Sequence, residues 1–269
     1  MAQPIRAAFF DIDGTLLTFG DRQMPDSTTR ALRKMHDAGI LLFISSGRPP
    51  FQLKRLPPIQ AIPFDGFILT NGQFCADREM NPFFVRALPG ESMPVLLGWL
   101  EQHPDVLCTF AEESYSYNNR PTSQAMTRRC LDCGVLPPNQ PVEDPARALT
   151  HTTYQLNLYM PPEMDETFRQ AVPGCRAVRW NDAFADIIPA EGGKAAGLAR
   201  MMDRFGLTAS QCIAFGDGGN DVEMLQAAGI GVAMGNAAPD VQAAADYVTD
   251  PVDRDGIWNA AIHFGLTQE

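Results

Sequence analysis

The sequence predicts an α/β fold, a parallel sheet with helices on both faces, interrupted by an α+β insert. Three observations carry this. Short apolar runs that end in charged residues and glycine alternate with helical patterns at both ends of the chain, the pattern of strands buried on both faces of a parallel sheet. The texture changes over residues 83–187, where strands follow one another without that alternation. Turn residues flank the change, with Asp65, Gly66, Pro82, Pro89 and Gly90 around its start and Pro189, Gly192 and Gly193 after it. The expected division is therefore a discontinuous core of residues 1–82 and 188–269 around an inserted domain of residues 83–187.

In order, IRAAFF reads as the first buried strand, and Ser27 to Ala38 as a helix with apolar Leu32 and Met35, stopped by Gly39. ILLFISSG follows as a second strand and GFILTNG as a third. The insert reads as a helix (Glu91 to His103), strands Val106 to Ala111 and Tyr115 to Tyr117, a helix near Thr122 to Leu131, a strand Thr153 to Met160, a helix Pro162 to Ala171, and strands Arg176 to Trp180 and Ala183 to Ile188. Its first and last thirds share the order helix, strand, strand, a hint of a pseudo-repeat. The core resumes with a helix from Lys194 to Phe205, a strand and loop in QCIAFGDGGND, a helix Asp221 to Ala228 and a strand IGVAMG.

Composition narrows the partners. Hydrophobic residues make up 45% and charged residues 20% of the 269 positions, and 32 acids against 21 bases give a formal charge of -11. That charge opposes nucleic acid and anionic membrane surfaces and favours a small-molecule partner. The longest apolar runs fall well short of the ~18 residues of a membrane span, so the expectation is a cytoplasmic, uncleaved chain, monomeric or a small homo-oligomer. Six scattered cysteines do not make a disulfide scaffold; Cys130 and Cys133 form a lone CxxC without the second pair or the setting that zinc or redox chemistry needs. His36, His103, His151 and His263 form no close-spaced ligand pair.

Polar residues placed just after apolar strands converge on one crevice of a parallel sheet. Four such points occur: Asp11-Ile12-Asp13-Gly14-Thr15, Ser45-Ser46-Gly47-Arg48, Lys194, and Gly216-Asp217-Gly218-Gly219-Asn220-Asp221. Each alone reads as a turn or a solvated residue. Together they gather Asp11, Asp13, Asp217 and Asp221, and unit charges about 4 Å apart repel by about 4 kcal/mol per pair at an effective dielectric of about 20. Such a cluster needs cations. Carboxylate oxygens without His or Cys suit Mg²⁺, whose remaining ligands are commonly water and phosphate. Lys194 supplies a second positive centre, and the backbone N–H groups of the Asp11 to Gly14 loop and of Ser46 and Gly47, with the Ser46 hydroxyl, can cradle phosphoryl oxygens.

DIDGTLL, ISSGR, Lys194 within PAEGGKAAGLARMM, and FGDGGNDVEML followed by GVAMGNA resemble the four motifs of the haloacid dehalogenase superfamily, in its Cof-type sugar-phosphatase-like branch. The resemblance implies a Rossmann-like core with a large α/β cap inserted between the second and third motifs, the cap setting substrate specificity. It implies a Mg²⁺-dependent phosphatase of small phosphorylated metabolites such as sugar phosphates. Carried over by position, Asp11 is the nucleophile and Asp13 the general acid/base. Ser46, Gly47, Lys194 and Asn220 bind phosphate. Asp11, Asp13 through its carbonyl, and Asp217 hold the metal, with Asp221 as its outer partner. Asn71, in the TNG that recurs in this branch, is a candidate contact to the leaving group. Ser46 departs from the usual Thr but keeps the hydroxyl. The link GVLPPNQPVEDPAR, residues 134–147, stands where relatives carry structured elements.

An acid two residues after the nucleophile favours hydrolysis or phosphomutase chemistry over dehalogenation or ion transport. A phosphomutase on the same core remains the alternative, separated by release of inorganic phosphate without a bisphosphate activator. A non-turnover phospho-switch is a further one, and an insert of about 100 residues argues against it. Within the insert, Tyr115, Tyr117, Arg120 and Arg179 are candidate substrate contacts, without a motif to support them.

Overall fold

The structure is a computed structural model and describes residues 4–267. The strands, in chain order, are β1 (Ala7–Phe10), β2 (Leu41–Ser45), β3 (Gly66–Leu69), β4 (Phe74–Asp77), β5 (Pro82–Val85), β6 (Leu107–Ala111), β7 (Ser116–Asn118), β8 (Gln155–Tyr159), β9 (Cys175–Asn181), β10 (Phe184–Pro189), β11 (Cys212–Gly216), β12 (Ile230–Ala233) and β13 (Tyr247–Val248). They form two sheets, an eight-stranded one in the order β13-β12-β11-β1-β2-β3-β4-β5 and a five-stranded one in the order β7-β6-β8-β10-β9. The chain divides into two compact units: one holds the residues up to Arg48, Gln52–Val85 and those from Gly192 onward, the other Pro49–Phe51 and Arg86–Glu191.

In the first unit β13 to β3 run parallel, and β4 and β5 add antiparallel at one edge. The apolar continuity of β1 has a direct cause. Ala8 and Phe10 pack into one core and Ala7 and Phe9 into another, on opposite faces of the sheet. Phe10 stacks on Phe215 at 4.9 Å on one side and Phe9 on Phe43 at 4.8 Å on the other. The helix Asp26–Asp37 buries Ala31, Leu32 and Met35, and gives way to Gly39 at a positive φ of 82°. The helix Lys194–Phe205 buries Lys194, Gly197, Leu198 and Met201 along one stripe and ends at Gly206 in the left-handed region.

The predicted strands and helices of this unit form within one or two residues of their expected ends, except that β3 stops at Leu69, three residues before the end of GFILTNG, and Val222–Ala227 forms likewise after a single tight turn at Gly219–Asp221. The hairpin β4–β5 is additional to the sequence reading. Its second strand opens on Pro82 at the sheet's edge, where a missing N–H costs nothing. Because that strand pairs with β4, the division falls at Val85/Arg86 rather than at residue 82. At the other end β10 extends to Pro189 in the second unit, beyond the expected residue 187. Also unforeseen are the short helices Pro50–Leu53 and Pro57–Gln60 and the closing elements β13 and Gly256–His263.

The second unit is an antiparallel sheet around a core of Trp99, Phe110, Tyr117, Leu156, Leu158, Phe168 and Ile187. Both outer thirds have the order helix, strand, strand, but in the first the earlier strand, β6, is the inner one, and in the last the later strand, β10, is. The two thirds mirror one another about β8 rather than repeat. Residues 134–144 carry no helix or strand beyond an isolated bridge at Val142, and a single-turn helix Pro145–Leu149 follows. Cys130 and Cys133 are free thiols. No helix among the described residues is long and apolar enough to cross a membrane.

Candidate active site

The site lies in the first unit, at the carboxyl ends of β1, β2 and β11, where parallel sheets place their functional loops. The Asp11 N–H donates to the Phe215 carbonyl at 3.0 Å, which registers the end of β1 against β11. The chain then coils tightly, the Ile12 carbonyl accepting from the N–H groups of Leu16 and Leu17. Gly14 is needed here. Its φ is 90°, and a Cβ there would stand 2.1 Å from Asp217 Oδ2 and 2.5 Å from the ring of Phe19.

From the end of β11, Asp217 accepts from the Thr15 hydroxyl at 2.9 Å and from Asn236 Nδ2 at 3.3 Å, and the same Asn236 amide reaches the Gly14 carbonyl at 2.9 Å. Asp221 is wholly buried and accepts from the N–H groups of Asp217 and Gly218 at 3.1 and 2.9 Å. Lys194, the first residue of its helix and 1% exposed, places Nζ 2.6 Å from both Asp11 Oδ1 and Asp221 Oδ1. Ser46 is buried, its N–H donating to the Ile68 carbonyl at 2.8 Å and its hydroxyl accepting from the Arg48 N–H at 3.3 Å.

The four acids do not all meet as the sequence suggests. Asp11, Asp217 and Asp221 each offer a carboxylate oxygen within 4.8 Å of the others. The side chain of Asp13 is instead held in a fork by Arg48, with Nε and Nη2 both at 2.7 Å. The guanidinium neutralises the fourth charge where a metal would otherwise be required to, and a bidentate pair also fixes the carboxylate plane. Asn71 is held within the site. It is 1% exposed, and its amide oxygen accepts from Asn220 Nδ2 at 2.9 Å. Arg48, Thr15 and Asn236 were quoted within motifs but given no role. Their signals were present in the Ser-Gly-Arg, Asp-Gly-Thr and Gly-Asn-Ala triplets.

Electrostatics follow from burial. Desolvation pushes the Asp11 carboxyl up, Lys194 pulls it back, and Asp221 and Asp13 raise it again, leaving a pKa of about 7 against an ordinary 3.8. Asp217 is pushed well above the ordinary carboxyl by burial and then by Asp11 and Asp221. Burial alone would push Lys194 down, but the charges of Asp11 and Asp221 outweigh it and hold its pKa above the ordinary lysine value. Four carboxylates face two cations, Lys194 and Arg48, so the cluster carries an excess that one divalent cation would cancel. The donor set is hard carboxylate oxygen without nitrogen or sulfur, which fits Mg²⁺.

Comparison with known proteins agrees with this geometry. A family model described as haloacid dehalogenase-like hydrolase matches residues 8–260. The Bacillus subtilis (strain 168) protein named "Putative phosphatase YkrA" is 33% identical over 258 residues, which cover 96% of this chain and 97% of that protein. Among solved structures, a phosphatase of the HAD superfamily from Bacteroides thetaiotaomicron is 34% identical with a TM-score of 0.89, the match covering 98% of this chain and 96% of that one. A HAD subclass IIB sugar phosphatase is 35% identical with a TM-score of 0.86, covering 97% of this chain and 99% of that one. The chain belongs to the haloacid dehalogenase-like hydrolase family, in its Cof-type branch, and is a phosphoric-monoester hydrolase.

Proposed function

We propose that the chain is a Mg²⁺-dependent phosphatase of small phosphorylated metabolites, sugar phosphates among them, and that it works through an aspartyl-phosphate on Asp11. The observation that carries this reading is the division of labour among the acids. Asp11 is buried among cations and carboxylates, whereas Asp13, two residues on, stands apart from the metal-ligating group. A nucleophile and a separate proton carrier are what a two-step phosphoryl transfer requires.

Asp11, Asp217 and the Asp13 backbone carbonyl would hold the metal, with Asp221 acting from the outer shell. Mg²⁺ supplies charge stabilisation on the phosphoryl oxygens and favours the ionised form of Asp11. A carboxylate oxygen of Asp11 attacks phosphorus in line as the bond to the leaving oxygen breaks, and Asp13, in its protonated form, gives that oxygen its proton and is left as the carboxylate that Arg48 holds. Asp13 then takes a proton from water, whose oxygen attacks the aspartyl-phosphate, freeing inorganic phosphate and restoring Asp11. Lys194 neutralises charge on the transferring group, while Ser46, the Gly47 N–H and Asn220 bind its remaining oxygens. Residues 86–191 select the leaving group.

The test is release of inorganic phosphate from a panel of phosphorylated sugars, nucleotides and cofactors with Mg²⁺ or a chelator. Asp11→Asn is expected to lower kcat by about 10⁴-fold or more while its circular dichroism stays native. Near-wild-type turnover in that variant would sink the nucleophile assignment.

A further inference from the structure

The turn Thr70-Asn71-Gly72, which follows β3, has three successive positive φ angles of 48°, 50° and 88°. Left-handed backbone is ordinary for glycine and tolerated by asparagine, but for a β-branched threonine it is an outlier. The Thr70 side chain does not hold it there, since its hydroxyl is buried without a hydrogen-bond partner. What over-determines the turn is its wiring. The Thr70 N–H donates to the Arg48 carbonyl at 3.1 Å and the Asn71 N–H to the Ser46 carbonyl at 3.0 Å. The Asn71 carbonyl accepts from the Gly193 N–H at 3.1 Å and from Gln73 Nε2 at 3.0 Å, and its side chain accepts from Asn220. Gly72 lies so close to Gly193 that a Cβ would stand 2.1 Å from the Gly193 carbonyl oxygen.

One buried residue thus touches the Ser46 loop, the residue before Lys194 and the loop after β11, which are the three places that carry the phosphate-binding side chains. Backbone strain held by surrounding structure is a known means of pre-organising a site. We infer that Asn71 is a positioning residue: its backbone ties the Ser46 loop to the start of the Lys194 helix, and its side chain sets the direction of the Asn220 amide toward the phosphoryl group. This rests on the reading that Asn220 contacts phosphate. It moves Asn71 from a leaving-group contact to a support behind the site.

The experiment is a double-mutant cycle with Asn71→Gly, Asn220→Ala and the pair together. Glycine tolerates the φ of 50° and keeps the backbone bonds, so only the carboxamide is lost. Two quantities are read, kcat/KM and the competitive inhibition constant of inorganic phosphate, alongside the melting temperature. Each single variant is expected to lose about tenfold in kcat/KM and in phosphate affinity, with the pair no worse than Asn220→Ala alone. Asn71→Ser, which keeps a short acceptor, is expected to recover part of the loss and carries the same cycle if the glycine variant proves unstable. Losses that multiply in the double variant, or an unaffected Asn71→Gly, would overturn the inference. The cycle is separable from the nucleophile assignment, because phosphate inhibition reports the site without requiring a covalent step on Asp11.

Discussion

The two units are rich in charged side chains and use them in opposite ways. In the first, Asp11, Asp217 and Asp221 crowd together with an excess of negative charge that Lys194 only partly meets. In the second, the notable charges are already matched. Arg147 forks onto Glu112 at 2.7 and 2.9 Å, and Arg179 onto Asp165 at 2.7 and 2.6 Å. Tyr115 donates to Glu143 at 2.6 Å, Tyr117 is fully buried in the core, and Arg120 reaches the Leu100 carbonyl. Satisfied pairs hold a shape, and unsatisfied charges hold a ligand. Of the four residues that the sequence offered as substrate contacts in the insert, Tyr115 and Arg179 are engaged by partners within the unit, whereas the buried Tyr117 hydroxyl and Arg120 Nε have no hydrogen-bond partner.

The sharpest way to break this contrast is to remove one cation from each unit. Lys194→Met leaves two buried carboxylates without their partner, and truncating a buried pair typically costs about 3–5 kcal/mol. Turnover should fall by about 10³-fold or more, with a lower melting temperature in the metal-free protein. Arg147→Met should also lower the melting temperature, since Glu112 loses its fork, yet leave kcat within about threefold of wild type. Equal losses of activity in the two variants would show that the second unit's ion pairs belong to the catalytic apparatus.

A smaller effect is expected at Asp13: in the proposed role its removal takes away proton transfer, a contribution of about 10²–10⁴-fold. Asp13→Asn should keep Mg²⁺ affinity, because the close carboxylate group does not include its side chain. Phosphorylated enzyme should accumulate in a rapid quench. An equal loss of Mg²⁺ affinity with no phosphorylated species would contradict the assignment.

Smaller still is a pH effect on stability. The folded pKa of Asp11, about 7, lies above the ordinary 3.8, so its stabilising contribution is present below the lower value and is lost as pH rises through the higher. Asp217 shifts in the same direction. With a chelator present, the melting temperature contributed by this cluster should fall between about pH 4 and pH 7, and Asp11→Asn should flatten that slope. Added Mg²⁺ should raise the melting temperature more at pH 7.5 than at pH 5. A metal-free protein that melts equally across the window, in wild type and Asp11→Asn alike, would mean that the excess charge is dissipated by other means.

Legibility follows the same line between the units. The core's strands were readable because burial on both faces writes them as unbroken apolar runs, and the site because its residues sit in fixed order directly after those runs. Three features were not readable. The Arg48 fork on Asp13 joins residues 35 positions apart, and neither position alone says that the guanidinium turns inward. The buried side of Asn71 depends on three consecutive left-handed residues, which local propensity opposes at Thr70. The edge hairpin β4–β5 has a weak pattern, because Phe83 and Phe84 are each only partly buried. In the insert the elements were legible from periodicity, but the partners of Tyr115 and Arg179 were not, since side-chain hydrogen bonds and ion pairs leave no period in a sequence.

The mildest prediction concerns Arg179. Its guanidinium grips Asp165, which opens the helix Asp165–Ala171, and Nη2 also reaches the Met160 carbonyl at 3.1 Å, just beyond the end of β8. It therefore fastens the last helix of the insert to β8 and β9 at once. The side chain is only 14% exposed, which leaves little of it for a substrate. Arg179→Met keeps much of the apolar stem while removing the fork, so the expected cost is a lower melting temperature with kcat/KM unchanged to within about twofold across a substrate panel. Arg179→Lys should recover only part of the loss, because a single ammonium cannot reproduce two parallel bonds to one carboxylate. A change in the ranking of substrates in Arg179→Met, without loss of stability, would mean that the fork opens to receive a ligand. The distinction between a unit of satisfied pairs and one of unsatisfied charges would then fail at that residue.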